Sequence, residues 1–351
     1  MYYPFNFQLM KKGTKKLNRS QNQDISRDEL IFNRGISDFK STFGSDPDSV
    51  IDSMNKNNDD IPNQIPIHKI EIQEAGVVRE NIPLRVIDPL FGKKTLCLIS
   101  KLDIKTRISG QRRGLHMSRI GDIIATTSQE NFECIEDFIR KVAMGVCESQ
   151  ESVDVKIKLT APLPFYEDVD YNKKGTKKSL ESINLIYEVT LKNGVSIFES
   201  GFEFNNITAC PCVQQTFKHT LLESGLEKME IESLQPLLTH SQRCKTKILI
   251  KNYLGPLDVL EILKTADKSS VRVQNTLPRV QELHMVYRAH KNPQFMEDVV
   301  RNIASNIYSR FRKKYPKAFI TVETDSAESI HDFNIQAKIE SSFEDLGKLF
   351  K

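Results

Sequence analysis

The dipeptide Asn193-Gly194 and the two runs beside it constrain the fold more than any other stretch of the sequence. Before it, apolar side chains recur at every second position, and the members of this run are Ile183, Leu185, Tyr187, Val189 and Leu191. After it comes the strand-like run Val195-Ser196-Ile197-Phe198. Alternation with a period of two predicts strands with one buried face, and Asn-Gly favours a two-residue hairpin turn. An antiparallel sheet is therefore predicted in the middle of the chain.

Two segments carry apolar residues at helical spacing, and each is predicted to form a helix. The first is marked by a capping-box pattern at Thr127 and Glu130 and contains Phe132, Ile135, Phe138, Ile139, Val142 and Val146. The second begins at Asn292-Pro293 and contains Met296, Val299, Val300, Ile303, Ile307 and Phe311. A final strand is predicted from His331 to Ile339. The order of elements predicts an α+β protein in which each half is a small unit with an antiparallel sheet and helices on one face.

The length of the chain, 351 residues, is enough for a large core and predicts two domains. Residues 1–60 are rich in Asn, Lys, Ser and Asp. Such a segment buries too little apolar area to offset its ordering entropy, so a mobile extension is predicted there. The two α+β units are then expected over residues 61–207 and 208–351.

The composition narrows the classes of function. Hydrophobic residues make up 39% of the chain and charged residues 27%, and no apolar run approaches the roughly 18 residues of a membrane helix. We therefore expect a cytoplasmic protein that does not associate with membranes. The net charge of +4, from 50 basic and 46 acidic residues, is too even to predict nucleic-acid binding. Six thinly spread cysteines predict reduced thiols.

The closely spaced thiols of Cys210-Pro211-Cys212 are the clearest chemical signal in the sequence. Proline fixes its own φ near −65°, which stiffens the motif. Later segments supply imidazoles and carboxylates: they contain His240, Glu282, His284, Glu328 and His331. Thiol, imidazole and carboxylate together suit a transition-metal site with an open position. On residue chemistry alone, a buried structural thiol pair remains an equal alternative to a metal ligand or a nucleophile.

A second candidate segment, Arg112-Arg113-Gly114-Leu115-His116-Met117-Ser118-Arg119, places three arginines and a histidine around one glycine. Arginine donates bidentate hydrogen bonds to phosphate, so the segment could clamp an anion. The alternative is a solvated loop, and residue chemistry alone favours that interpretation.

Taken together, the motifs resemble the type IB GTP cyclohydrolases and their archaeal relatives. The matching stretches occur in the order of the family over about residues 61–340, and they are Arg113–Arg119, Cys210–Cys212, His240–Arg243, Asn292–Arg301 and Glu328–His331. The resemblance implies two tandem tunnelling-fold (T-fold) modules in one chain. It also implies a homodimer or homotetramer with active sites where subunits meet.

The resemblance further implies an enzyme that opens the imidazole ring of GTP and releases formate. The metal ligands of the family fall on Cys210, His240, Glu282, Glu328 and His331. Fe(2+) is the metal expected, although the donor types also suit Zn(2+) and Mn(2+). The catalytic residues implied are Cys210, Cys212, His240 and His331, and the substrate-binding residues are Glu297, which anchors guanine, with Arg113, His116, Arg119 and Arg243 for the triphosphate.

Several details favour the archaeal branch, whose members release 7,8-dihydroneopterin 2′,3′-cyclic phosphate. Cys212 and His240 are separated by 27 residues, and Pro278-Arg279-Val280-Gln281-Glu282 departs from the Lys-Arg-x-Asp-Glu run of bacterial members. The alternatives are the bacterial product, 7,8-dihydroneopterin triphosphate, a reductase of the same fold that uses a cysteine nucleophile and NADPH, and a homologue without catalysis. Val213, where the family usually has a small residue, is a further departure.

Overall fold

A computed structural model describes residues 39–56, 60–87, 95–170 and 175–350. The chain comprises two compact units, Met1–Ile61 and Pro62–Lys351. In the first unit, Pro47–Lys56 forms helix α1. The mobile extension predicted over residues 1–60 falls largely outside the described residues. Across the described ranges, no helix is both long and apolar enough to cross a membrane.

The second unit is built on one large sheet. Its strands are β1 (Ile72–Ile87), β2 (Thr95–Ile108), β3 (Asn131–Phe132), β4 (Asp154–Asp170), β5 (Thr176–Lys192), β6 (Val195–Ala209), β7 (Ser241–Lys251), β8 (Val271–Arg272), β9 (Phe319–Ala327) and β10 (Asn334–Ser342). Their order is β10-β9-β7-β6-β5-β4-β2-β1-β3, and β8 pairs with β6. The long strands pair antiparallel, and only the short β3 runs parallel to its neighbour among the described strands. The antiparallel sheet predicted from alternation is confirmed.

The predicted hairpin at Asn193-Gly194 is confirmed, and it joins β5 to β6. Both residues have positive φ, 48° for Asn193 and 78° for Gly194, as a type I′ turn requires. Lys192 pairs with Val195 across the turn. Strand β6 also pairs with β7, and this pairing joins strands from the two halves of the sequence in one continuous sheet.

The second unit also contains helices, and some of them pack on the sheet. Its helices are α2 (Met117–Thr127), α3 (Ile135–Ser149), α4 (Pro211–Glu223), α5 (Lys228–Ser233), α6 (Val259–Ala266), α7 (Arg279–Lys291), α8 (Met296–Phe311) and α9 (Phe343–Leu349). Helix α3 packs on β4 and β5, and α8 packs on β9 and β10. Their buried residues, such as Phe138 and Ile303, belong to one hydrophobic core with the strands. Pairs such as Lys156 with Glu188 and Lys247 with Glu323 cross between neighbouring strands.

Some predicted boundaries are wrong. Helix α3 begins at Ile135, after the extended N-cap residue Cys134, because Asn131–Phe132 pairs with β1. Thr127 therefore ends α2 and does not cap α3. The final strand begins at Asn334, so His331 precedes it. Among the helices that were not predicted are α1, α2, α7 and α9. Helix α7 buries only Ala289.

Candidate active site

Four strand ends meet at one end of the sheet, which we call the cysteine end. Ala209, the last residue of β6, pairs with Ser241, the first of β7. Ala327, the last residue of β9, pairs with Arg243 of β7 and with Asn334 of β10. Cys210, His240 and Glu328 each lie one residue beyond these strands. Strand register therefore brings together three segments that the sequence separates by up to 118 residues.

Cys210 is held between β6 and the first turn of α4. It is the N-cap residue of α4, with Pro211 at the first helical position, where a missing N–H costs nothing. The Cys210 N–H donates to the carbonyl of His240 at 3.0 Å, and Thr239 Oγ1 donates to the carbonyl of Cys210 at 2.6 Å. These bonds fix the backbone on both sides of the pair. The Cys210 residue is half-buried, whereas Cys212 is exposed.

His240 faces the segment that carries Glu328. Its Nδ1 atom lies 3.0 Å from Ser329 Oγ. This contact orients the imidazole and connects the start of β7 to the loop between β9 and β10. His240 is half-buried, so its ring remains open to a ligand from solvent.

The carboxylate of Glu328 is oriented by a buried hydroxyl group. Ser326 is completely buried, and its Oγ donates to Glu328 Oε1 at 2.7 Å. Sequence reasoning missed Ser326. The available signal was the polar alternation of Thr324 and Ser326 at positions where a strand normally buries apolar side chains.

A row of buried polar side chains continues behind Glu328. Thr246 Oγ1 donates to Asn206 Oδ1 at 2.7 Å and lies 2.9 Å from Thr324 Oγ1. Cys244 is also buried there, and burial raises the pKa of its thiol to about 11. The thiol is therefore neutral near pH 7, unlike a metal-ligating thiolate. This network rigidifies the sheet beneath the loops of the cysteine end.

Glu297 is brought near the same end by the start of α8. Gln294 N–H donates to the carbonyl of Ala209 at 3.2 Å, and Thr208 Oγ1 donates to the carbonyl of Gln294 at 2.7 Å. Glu297 follows three residues later in the first turn of α8, and its side chain is exposed. Arg243 is exposed on β7 beside Ala327. Both side chains are accessible to a ligand.

Two of the predicted metal ligands remain to be placed, Glu282 and His331. Glu282 is exposed in the first turn of α7, eight residues before His290, whose carbonyl accepts from Gln214 of α4 at 2.7 Å. Glu282 is therefore about 12 Å farther along the helix axis. His331 is exposed and stacks on Phe333, with ring centroids 4.9 Å apart.

Nowhere in the described part of the chain do three or more His, Cys, Asp or Glu side chains come close enough together to hold a metal ion. The structure gathers the segments of Cys210, His240 and Glu328 but does not form a complete ligand shell from them. The donor types nevertheless fit a divalent transition metal, since thiolate, imidazole and carboxylate are its usual protein ligands.

The arginine segment lies at the opposite end of the sheet, which we call the arginine end. It follows Ile108, the last residue of β2. Across the sheet, Thr106 of β2 pairs with Val155 of β4, Val155 pairs with Leu191 of β5, and Leu191 pairs with Ser196 of β6. Ser196 and Ala209 are 13 residues apart in β6, which corresponds to about 43 Å along the strand. Within one chain, the arginine end cannot share a small ligand with Cys210.

At the arginine end, the predicted binding residues bond to their own chain. His116 is buried. Its backbone N–H donates to Gln150 Oε1 at 3.0 Å, and its Nε2 lies 3.1 Å from Asn63 Oδ1. Arg113 Nη1 donates to Gln64 Oε1 at 3.0 Å, and Arg119 Nη1 donates to the carbonyl of Ser149 at 3.4 Å. Arg113 and Arg119 are both exposed.

Comparisons with known proteins identify the family of the chain. The family model described as Type I GTP cyclohydrolase folE2 matches residues 59–337, which contain every element of the sheet except the end of β10. The chain is an enzyme of the cyclohydrolase class. It belongs to the type I GTP cyclohydrolase folE2 family.

Similar curated proteins are archaeal. GTP cyclohydrolase MptA of Thermoplasma acidophilum is 28% identical over 293 residues, covering 83% of this chain and 97% of that protein. GTP cyclohydrolase MptA of Methanoculleus marisnigri is 25% identical over 307 residues, covering 82% and 96% respectively. GTP cyclohydrolase MptA 1 of Methanocella arvoryzae is 29% identical over 273 residues, covering 73% and 85%.

Among solved structures, a uricase from Bacillus fastidious resembles this chain with a TM-score of 0.39 and 10% identity, covering 80% of this chain and 95% of that chain. A likeness at this level supports no argument about fold or function.

Proposed function

We propose that this protein is a metal-dependent GTP cyclohydrolase acting at the first step of pterin biosynthesis. It would open the imidazole ring of guanine at C8, release formate and yield 7,8-dihydroneopterin 2′,3′-cyclic phosphate with pyrophosphate. The observation that carries the proposal is that the segments of Cys210, His240 and Glu328 come together at the cysteine end, in a chain that belongs to a GTP cyclohydrolase family. The archaeal relatives favour the cyclic phosphate as the product.

The proposed ligands are Cys210, Glu328 and His331, with His240 and Glu282 completing or orienting the set. When bound, a divalent cation there supplies Lewis acidity that activates water at neutral pH. Fe(2+) is the cation proposed. Ser326 holds the Glu328 carboxylate, and Ser329 orients the His240 imidazole. Cys212, His240 and His331 are the groups proposed to move protons to and from the imidazole nitrogens.

The substrate is proposed to bind with its guanine base on Glu297, because one carboxylate can accept two hydrogen bonds from the guanine edge. Arg243 is proposed to contact the triphosphate from the same chain. Arg113, Arg119 and His116 lie at the arginine end, which is separated from the cysteine end by about 43 Å along β6, so a second subunit would have to supply them.

We therefore propose a homodimer or homotetramer in which each active site combines the cysteine end of one chain with the arginine end of another. Tandem T-fold modules over residues 61–207 and 208–351 would provide this geometry. Helix α7 offers a surface for such contact, since Val280, Leu283 and Val286 are exposed apolar residues at helical spacing.

The reaction is tested with anaerobic full-length protein, GTP and added Fe(2+), assaying formate and identifying the other products by mass spectrometry. Cys210→Ala should abolish turnover, and Cys97→Ala, which removes an exposed cysteine of β2, should leave it intact. Undiminished turnover after rigorous chelation, or full activity of Cys210→Ala, would contradict metal-dependent ring opening. A product with three phosphates and no pyrophosphate would identify the bacterial type of product instead.

A further inference from the structure

A cavity of about 400 Å³ opens beside the cysteine end, between the loop after α6 and the last turn of α7. Its lining residues are Lys268, Ser269, Ser270, Val271, Tyr287, Arg288, Lys291, Asn292 and Gln294. Three of them are cations and none is acidic. The cations come from two separate elements, the loop that follows α6 and helix α7.

The carboxylate of Asp267 interacts electrostatically with the nearby Arg288, but its hydrogen bonds go to Arg272. Within the described ranges, Lys268, Arg288 and Lys291 form no ion pair closer than 4 Å, and Lys291 Nζ donates instead to the Tyr287 hydroxyl at 3.2 Å. Arg272, only a few residues away, is in the opposite situation because it pairs with Glu167 at 2.6 Å and with Asp267 at 3.1 Å. Convergence of like charges on one cavity is unfavourable unless an anion offsets it.

The walls of the cavity are bonded to the residues beside Cys210. Gln294 Nε2 donates to the carbonyl of Ser269 at 3.1 Å, and Gln294 N–H donates to the carbonyl of Ala209. Ser270 Oγ also donates to the carbonyl of Ala266 at 3.0 Å. The loop, the start of α8 and the end of β6 therefore form one connected structure. A ligand in the cavity would lie within a few residues of both Cys210 and Glu297.

Helix electrostatics explain part of this arrangement. Arg288 and Lys291 lie in the last turn of α7, where cations complement the helix dipole. That interaction requires neither Lys268 from another element nor an open cavity between the charges. A phosphate ligand accounts for all three cations and for the space between them.

We propose that this cavity binds the polyphosphate chain of the substrate nucleotide, with Lys268, Arg288 and Lys291 as its ligands. The proposal rests on the proposed function, because it takes the substrate to be GTP. It assigns the triphosphate a site on the same chain as Cys210 and Glu297, in addition to the arginines proposed from a second subunit.

The test measures binding of inorganic tripolyphosphate to the full-length protein by calorimetry at fixed ionic strength. Lys268→Met and Arg288→Gln should each weaken binding about tenfold or more, since one hydrogen bond to a charged group is worth that much. Lys264→Met is the matched control, because Lys264 is exposed in the last turn of α6 and does not line the cavity. Equal affinities in the wild type and all three variants would overturn the proposal.

Two further ligands identify the source of the phosphate. GTP should bind more weakly to Lys268→Met and Arg288→Gln than to the wild type. Guanosine, which has no phosphate, should bind to all variants with the same affinity. Weaker tripolyphosphate binding with unchanged GTP binding would show a separate anion site and overturn the assignment to the nucleotide. Because no turnover is needed, these results are independent of the formate assay that tests the proposed function.

Discussion

The two ends of the sheet use polar side chains in different ways. At the arginine end, the side chains of Arg113, His116 and Arg119 each bond to their own chain. At the cysteine end, Cys210 and His240 are fixed through their backbones, and Glu328 is supported from behind by Ser326. The thiol, imidazole and carboxylate are therefore positioned without being bonded to one another.

This difference indicates which end can perform chemistry within one chain. Catalytic groups need neighbouring residues that fix their orientation, and they need accessible atoms that can bind a ligand. The cysteine end has both. The arginine end is a folded loop with exposed arginine residues, and it could complete a site on another molecule without rearranging. The predictions below test this division of roles, beginning with the largest expected effect.

The first prediction concerns the base anchor at the cysteine end. Glu297→Gln should melt within about 1 kcal/mol of the wild type, because an exposed first-turn carboxylate contributes only about 0.3–1 kcal/mol. Its selectivity for GTP should fall about 10,000-fold, as expected when a hydrogen-bonding site loses its partner. Steady-state kinetics with GTP and ITP measure this loss.

The neighbouring residue provides the control for that prediction. Asp298 accepts from Phe295 N–H at 3.3 Å and pairs with Arg301, so Asp298→Asn should reduce stability slightly and leave selectivity unchanged. If Glu297→Gln keeps ordinary discrimination, Glu297 acts only on the helix.

The second prediction tests whether the two ends meet between subunits. Cys210→Ala and Arg113→Gln should each be inactive, but co-expressed chains should recover roughly a quarter of wild-type activity, since half of random dimers are hybrid and each hybrid has one intact site. Formate release from the purified mixture measures this recovery.

A mixture of Cys210→Ala with Glu328→Gln is the matched control, because both changes lie at the cysteine end. It should remain inactive. Failure of the Cys210→Ala and Arg113→Gln mixture to recover activity would mean that the arginine end of one chain does not complete the site of another.

Sequence reasoning recovered the strands and the long helices because their patterns depend on local periodicity. Alternation located β5 and β6, and helical spacing located α3 and α8. It missed α7 because that helix buries little apolar surface. The separation of the ends depends on strand register across several pairings, and no local pattern carries that information.

Site chemistry was predictable only in part. Cys210, His240 and Glu328 were visible as reactive residue types, and the structure places their segments together. Ser326 and Lys268 were not visible, because a serine in a strand and a lysine after a helix are common in any chain. Their significance comes from what they face, which requires tertiary structure.

The third prediction separates a positioning residue from a structural one at the cysteine end. Ser326→Ala should weaken Fe(2+) binding by about 10- to 100-fold, the usual cost of losing a group that orients a metal ligand. Competition with a metal-sensitive dye under anaerobic conditions measures the affinity without requiring turnover.

Thr324→Val is the matched control for this experiment. Thr324 is buried two residues earlier on the same face of β9 and bonds to Thr246, so its loss should reduce stability but not metal affinity. Similar metal affinities for both variants would mean that Ser326 is merely part of the fold.

The last prediction concerns a buried carboxyl that lies outside both ends. Glu136 of α3 accepts from the Tyr253 hydroxyl at 2.8 Å and from Leu257 N–H at 3.0 Å, and burial raises its pKa above the ordinary value. The native state therefore holds this proton to higher pH than the unfolded chain does. The associated stability is present below the unfolded pKa, near 4.3, and is lost as pH rises through the raised folded pKa.

Glu136→Gln keeps both acceptor contacts and cannot ionise, so its stability should fall less than that of the wild type between pH 4 and pH 8. Each unit of pKa elevation corresponds to about 1.36 kcal/mol of this difference, which urea unfolding at several pH values can measure. Glu133→Gln, which removes an exposed carboxyl three residues earlier, should follow the wild-type curve. Parallel curves for Glu136→Gln and the wild type would mean that Glu136 does not couple folding to protonation. Unchanged Fe(2+) affinity in Glu136→Gln would distinguish this buried acid from Glu328, whose carboxylate is expected to act at the metal.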